Sequence, residues 1–443
     1  MAILGLLNTE SFANERMINM RRKVFYDYPN GAAPLTGILS MLEGEETNDP
    51  KFTWWEKRFK DFVTTTASQG SSKGPIQNSS GADPGDPVTW TADTEYFICV
   101  ASNEKFRVGH VIKAAITVSG VVTDIKGIVT SIATTGKLKV RAINTVASID
   151  NGTTNENVGK EVMAIGSAFS EGSLQTSTQV WEPPLELYNY TQIFRTPFSF
   201  TGTALKTSAK FDSEGPYKDK AKDASLDHMI GMERALLFGA RSTYTDPTTG
   251  LPTRTFGGIL WHLQQWEAGT TYGVTASTVD TDDNKRIITN SSGSMTLKTY
   301  NGYLERLFRK TNNRANEKLC LCGSGFLNTM NAMYKGDSVL NSNLPMTDTY
   351  GLDVIRHRTP FGLVYYKTHP LFNENSTMRY NGLFLDVQNM RWRKFPGRDT
   401  DILKNRQPND ADYRLDEWFT EGGFELQFPE SNMYLQNVQD YTP

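Results

Sequence analysis

The sequence predicts a β-rich α+β protein, and three observations carry that expectation. Thr, Ser, Gly and Asn are abundant and interleave with Val, Ile, Tyr and Phe, a mixture that suits strands and turns better than long helices. Between residues 96 and 172, short β-prone runs ("YFICVA", "VGHVIKAAITV", "GVVTDIKGIVTSIA", "KLKVRAI", "KEVMAIG") recur near the spacing of about 8–12 residues of an all-β module. Only a few segments carry helical periodicity, and the longest is residues 216–241. At 443 residues the chain can build two or three domains, and its apolar content, with 36 Gly, argues against global disorder.

Residues 1–50 do not read as a domain. Leu35, Ile38, Leu39 and Leu42 share one face of a short amphipathic helix that "EGEETNDP" ends. So little core of its own makes this an arm that lies on something else. "NDPKFTWWEKRFKDF" follows, with five rings (Phe52, Trp54, Trp55, Phe59, Phe62) among Lys51, Glu56, Lys57, Arg58, Lys60 and Asp61. Residues 64–87 are polar and Gly/Ser-rich and read as an exposed loop. The β module of residues 96–172 reads as a small barrel or sandwich; Leu138, Val140 and Ala142 alternate with Lys137, Lys139 and Arg141 as in a half-buried strand.

"VWEPPLELYNYTQIFRTPFSFTGTAL" is extended and aromatic, and Pro183-Pro184 exclude a central strand at that point. Its character mirrors the opening aromatic stretch, so the two are expected side by side. In the helix of residues 216–241, Pro216 suits the first turn and Leu226, Met229, Ile230 and Leu237 are expected on one face. The pattern then becomes α/β: helices in "TLKTYNGYLERLFRK" and "SGFLNTMNAMYK", a strand in "KLCLCG", and a strand pair in "LDVIRHRTPFGLVYYKTHP". Long strands ("GLFLDVQNMRWRKF", "FTEGGFELQFP", "MYLQNV") close the chain.

Charge and motifs exclude several functions. A net charge of −3 does not suit tight, sequence-independent nucleic-acid binding, so any contact with DNA is weak or local. Arg21, Arg22 and Lys23 form only a basic triplet with Asp27 close by. Three cysteines cannot make a disulfide framework and point to a reducing compartment. The opening lacks a signal-peptide pattern and no run approaches the roughly 20 apolar residues of a membrane helix, so a soluble intracellular product is expected.

"TTGKLKV" fails as a phosphate loop at Ser131 and Leu138, and "LCGSGF" puts Cys322 where a nucleophile elbow needs glycine. Cys320 and Cys322 share one strand face and read as buried thiols, not half of a zinc site. "VDTDDNK" breaks the calcium-loop pattern at Lys285 and Ser291. A glycosidase needs only two carboxylates beside aromatic platforms, and Glu56, Glu182, Asp416 and Glu417 each neighbour a tryptophan.

"APLTGILSMLEGEETNDPKFTWWEKRF" (residues 33–59) resembles the N-terminal signature of one group of tailed-bacteriophage major capsid proteins. "NYTQIFRTPFSFTGTA" (189–204), "MERALLFG" (232–239), "TRTFGGIL" (253–260) and "TEGGFELQFPESNMYLQNV" (420–438) agree in order, so the resemblance touches most of the chain. It implies an HK97-like capsid fold. The arm would be 1–50, the extended loop 51–95 plus 173–205, and the β module an insertion at 96–172. Residues 206–250 would hold the spine helix of the peripheral domain, 251–375 the axial domain, and 376–443 the last peripheral strands.

The resemblance further implies a non-enzymatic subunit that needs no cofactor and no metal. It would self-assemble into hexamers and pentamers of an icosahedral virion head around dsDNA, in the host cytoplasm and away from membranes. Scaffolding, portal and decoration proteins are the other partners it suggests. Inter-subunit contact is then expected at Phe52, Trp54, Trp55, Glu56, Lys57, Arg58, Phe59, Trp181 and Phe194, since an extended segment has little of its own to bury rings against. The opposing expectation is that Trp54 and Trp55 cap the chain's own core. A carbohydrate-active enzyme with a β accessory module, or a phage tail or decoration protein, are the alternative functional classes.

Overall fold

The strand Tyr413–Leu426 organises the body of the molecule. It pairs antiparallel with Gln192–Thr201 and with Met390–Lys394, while Glu45–Glu46 and Asp401–Leu403 extend the same sheet. The helix Pro216–Phe238 packs against Gln192–Thr201 and Tyr413–Leu426. The computed structural model describes residues 34–41, 44–57, 62–68, 74–133, 136–151, 157–173, 183–206, 216–269, 285–309, 316–336, 345–347 and 353–442. No helix among them is long and apolar enough to cross a membrane.

The inward stripe of the long helix differs from the expected one. Ala224, His228, Met232, Leu236 and Leu237 are buried, whereas Met229 is 41% exposed. Spacings of four carry Ala224, His228, Met232 and Leu236 along one stripe. The helix ends against the segment before Ile259–Ala268. A Cβ on Gly258 would lie 2.6 Å from the Leu236 carbonyl oxygen, so only glycine lets the two backbones touch.

A second, mixed sheet runs in the order Ile287–Thr289, Met433–Gln436, Gly382–Leu385, Glu317–Cys322, Leu363–Thr368, Asp353–Arg358, Pro345–Thr347. Its central strand is buried on both faces and so reads as an unbroken apolar run. Leu319 and Leu321 join the core under the long helix. Cys320 and Cys322 face Phe326, Tyr366 and Phe384 in a separate core beneath Leu297–Arg309 and Ser324–Gly336. All three cysteines are buried, and burial raises the Cys320 thiol pKa well above its ordinary value.

The β module is a seven-stranded antiparallel sheet with its own core, which includes Trp90, Phe106, Ile112, Ile125 and Val140. Its edge strands are Val63–Thr65 and Ile76–Asn78. Part of the stretch expected as an exposed loop is therefore structural: Thr64, Thr65, Thr66, Ile76 and Gln77 are buried. Asn side chains stand in for strand partners here. Asn151 accepts from Ile76 N and donates to Ile76 O, and Asn157 does the same with Thr117.

Candidate inter-subunit surface

The two aromatic stretches meet. Lys51–Glu56 pairs antiparallel with Leu185–Tyr190 along its whole length, from Lys51 opposite Tyr190 to Glu56 opposite Leu185. Side chains alternate across such a ribbon. Phe52, Trp54 and Glu56 point into the body, while Lys51, Thr53, Trp55 and Lys57 face out.

The inward face is seated tightly. Phe52, Trp54, Leu187 and Trp266 form one buried cluster. Trp54 Nε1 donates to Glu56 Oε1 (3.0 Å), which also accepts from Phe428 N (3.1 Å). Asn189 accepts from Gly257 N (2.9 Å) and donates to the Gly257 and Phe424 carbonyls (3.1 and 2.7 Å). The Gly422-Gly423 step makes room for two rings. A Cβ on Gly423 would lie 2.3 Å from the Phe52 ring, and one on Gly422 would lie 2.4 Å from the Trp392 ring. His262 sits among Trp54, Trp261 and Phe424. Burial, with help from Arg241, pushes its pKa down to about 3, so this ring is neutral.

The outward face is aromatic and cationic. Trp55 is 61% exposed and lies opposite the exposed Glu186. Tyr188 carries two cations, Lys51 Nζ at 4.3 Å and the Arg241 guanidinium at 3.9 Å from its ring centre, and Arg241 also lies over Trp261 at 4.5 Å. Tyr190 packs edge-on against Tyr188. Large rings with fixed charged neighbours are the composition of protein–protein contact surfaces.

The structure divides the expected contact residues. Phe52 and Trp54 are each 5% exposed and Glu56 2%, so the chain's own body already encloses them. Phe194 is half-buried, edge-on to His228 and Phe256. An extended ribbon does bury rings within its own chain when one face lies on the body, which leaves Phe52, Trp54 and Glu56 little surface to offer a neighbour. Trp55 and Lys57 remain outward. Arg58, Phe59 and Trp181 lie outside the described residues, as do the basic triplet with Asp27, Glu182 and the would-be calcium positions 280–284.

The carboxylates proposed for a glycosidase are engaged separately. Asp416 accepts from Tyr217 (2.5 Å) and pairs with Arg414 (2.9 Å). Its neighbour Glu417, on the opposite face of the strand, pairs with Arg195 (2.6 Å) and Arg406. Glu421 and Glu425 continue that row with Arg398 and Arg393. This arrangement fixes a sheet; it presents no facing acid pair with room for a sugar. Among the described residues, no three His, Cys, Asp or Glu are grouped to hold a metal.

Sequence reasoning missed the anchor of the first described helix. The helix Pro34–Met41 buries Leu35, Ile38 and Leu39 in the core under the long helix. Its first turn is capped by a carboxylate from 197 and more residues away. Glu233 accepts from Leu35 N (2.9 Å), Thr36 N (2.7 Å), Thr36 Oγ1 (2.6 Å) and His369 Nε2 (2.8 Å). His369 Nδ1 accepts from Leu371 N (3.2 Å), so its Nε2 carries the proton. Orphan helix N–H groups and a buried carboxylate thus satisfy each other. The only sequence signal is one acid inside the apolar run "MERALLFG".

The major capsid protein of Pseudomonas phage PaMx41 is 23% identical over 268 residues, 59% of this chain and 54% of that protein. The match therefore spans about half the length of that relative. Among solved structures, the capsid asymmetric unit of cyanophage A-1(L) aligns with a TM-score of 0.43 at 14% identity, over 62% of this chain and 85% of that one. The Mycobacterium phage Bobi structure aligns at 0.40 and 8% identity over 98% and 95% of the two chains. A profile of the SU10 major capsid protein family matches residues 13–439, and the chain belongs to that family.

Proposed function

We propose that this chain is the shell-forming subunit of a tailed-phage head with an HK97-like fold, assembling as hexamers and pentamers into an icosahedral container for dsDNA. The observation that carries the reading is the family match across residues 13–439. The outward face of the ribbon supplies a means: covering Trp55 against a neighbour contributes roughly 1.5–3 kcal/mol per copy. Lys51, Lys57 and Glu186 set register around it. The net charge of −3 suits a container that holds DNA weakly.

In this reading, residues 1–50 are the arm and 206–250 and 376–443 the peripheral domain, with Pro216–Phe238 as its spine helix. Residues 251–375 are the axial domain. Residues 51–62 and 173–205 form the extended loop, with the module inserted between them from Val63. Scaffolding, portal and decoration proteins are its proposed partners in the virion.

The test is expression of the full chain followed by size exclusion and negative-stain microscopy. Particles tens of nanometres across are expected, and Trp55→Ala is expected to leave folded subunits with few particles. A wild-type chain that remains a monomer or small oligomer, with its proposed partners co-expressed, would contradict the proposal.

A further inference from the structure

Ser242–Thr245 and Pro252–Thr255 form a second two-stranded ribbon directly after the long helix. Every residue of its first strand is exposed, Tyr244 at 55%, and Leu251 at the tip is 64% exposed. The tip is nonetheless built rigidly. The Asp246 carboxylate accepts from Thr248 N (2.9 Å) and Thr249 Oγ1 (2.8 Å). Gly250 N donates to Asp246 O and Asp246 N to Leu251 O, with Gly250 at φ +67°. The ribbon's second strand is half-buried beside Gln192–Thr201, and a hairpin so thinly covered is marginal in water. A preorganised turn that holds a leucine outward is what an interface anchor needs.

A receptor of matching character lies at the end of the same helix. Phe238, Leu371 and Met378 floor an open groove of about 670 Å³, and Arg234 and Glu374 stand beside them. These two charges pair at 3.3 Å with more than half of each side chain in water. The ribbon also carries one charge of each sign, Asp246 at its tip and Arg254 opposite Thr243. Charge as well as apolar character is therefore complementary.

We propose that the Leu251 tip of this hairpin docks into the groove beside Phe238 on a second copy of the chain. The inference rests on the assembly reading above. Each copy offers one hairpin and one groove, so the contact is heterologous and closes into a ring when the rotation permits. Leu251 fills the apolar floor, and Asp246 and Arg254 draw Arg234 and Glu374 into exchanged pairs.

The test is a cysteine pair, Leu251→Cys with Ser376→Cys, in the full chain. Both positions are exposed, and the native cysteines are buried and do not compete. A disulfide needs Cα atoms within about 7 Å. Mild oxidation of purified particles should join the chains into covalent multimers on a non-reducing gel. The control pair Val122→Cys with Ser376→Cys should leave them as monomers. Leu251→Asp should lower particle yield with the subunit's thermal midpoint unchanged.

Particles that form normally but give single chains, or links confined within one chain, overturn the docking and leave the assembly reading standing. Normal particle yield from Leu251→Asp overturns it as well. Failure of the unmodified chain to form particles, with its proposed partners co-expressed, overturns both.

Discussion

Two of the antiparallel ribbons among the described residues are finished differently. Lys51–Glu56 with Leu185–Tyr190 has one face sealed on the body by Phe52, Trp54 and Leu187 and the other left to solvent. Ser242–Thr245 with Pro252–Thr255 has no buried residue in either strand. Two strands alone do not sustain themselves in water, so a sealed face is what lets the first ribbon stand within one chain. The lesson is that ring count does not mark an interface. Phe52 and Trp54 do intrachain work, while the neighbouring Trp55 on the same strand is free to meet another molecule.

Substitutions in the sealed face should have the largest effect on the subunit. Trp54→Ala removes the central ring of the cluster and is expected to cost about 3–5 kcal/mol, read by urea unfolding. A loss below about 1 kcal/mol would break the distinction between the ribbons. Next is the arm. Glu233→Ala leaves the Leu35 and Thr36 N–H groups and His369 without their shared acceptor, at a cost of about 1–3 kcal/mol. Hydrogen exchange at residues 34–41 should accelerate more than exchange in the module of residues 63–167.

Acid acts through the interior beside the sealed face. His262 is neutral when folded down to about pH 3, whereas the unfolded chain takes up its proton near pH 6.5. Above pH 6.5 the two states bind equally. Between there and about pH 3, stability falls by about 1.4 kcal/mol per pH unit for this ring. His357, lowered by burial to about 4, and His228, lowered by burial, act in the same direction. Melting across pH 4–7 should show the decline, and His262→Gln should flatten it. The smallest change in subunit stability is expected from Trp55→Ala, within about 0.5 kcal/mol, because its ring is already in water.

Much of the fold was legible because it rests on local pattern. The similar character of the two aromatic stretches placed them together, and Pro183-Pro184 marked where the second strand starts. Tyr300, Leu304, Leu307 and Phe308 gave their helix by spacing, and the antiparallel pairing of Asp353–Arg358 with Leu363–Thr368 was read as a strand pair. Period-two alternation separates Phe52 and Trp54 from Trp55, yet it does not say which set faces inward; that depends on the Gly422-Gly423 step nearly 370 residues away. The first strands of the module hide in polar sequence because their partners, Glu161–Ser167 and Glu95–Cys99, supply the context. The Glu233 cap is invisible for the same reason, since nothing local links it to Leu35.

The central claim is that the outward face of the sealed ribbon is covered by another copy when the chain assembles. Hydroxyl-radical footprinting read by mass spectrometry, on free subunits and on assembled particles, measures that directly at Trp55. Rapid oxidation of Trp55 in subunits and strong protection in particles, with Trp54 protected in both, is the predicted result. Equal oxidation of Trp55 in the two states would contradict it.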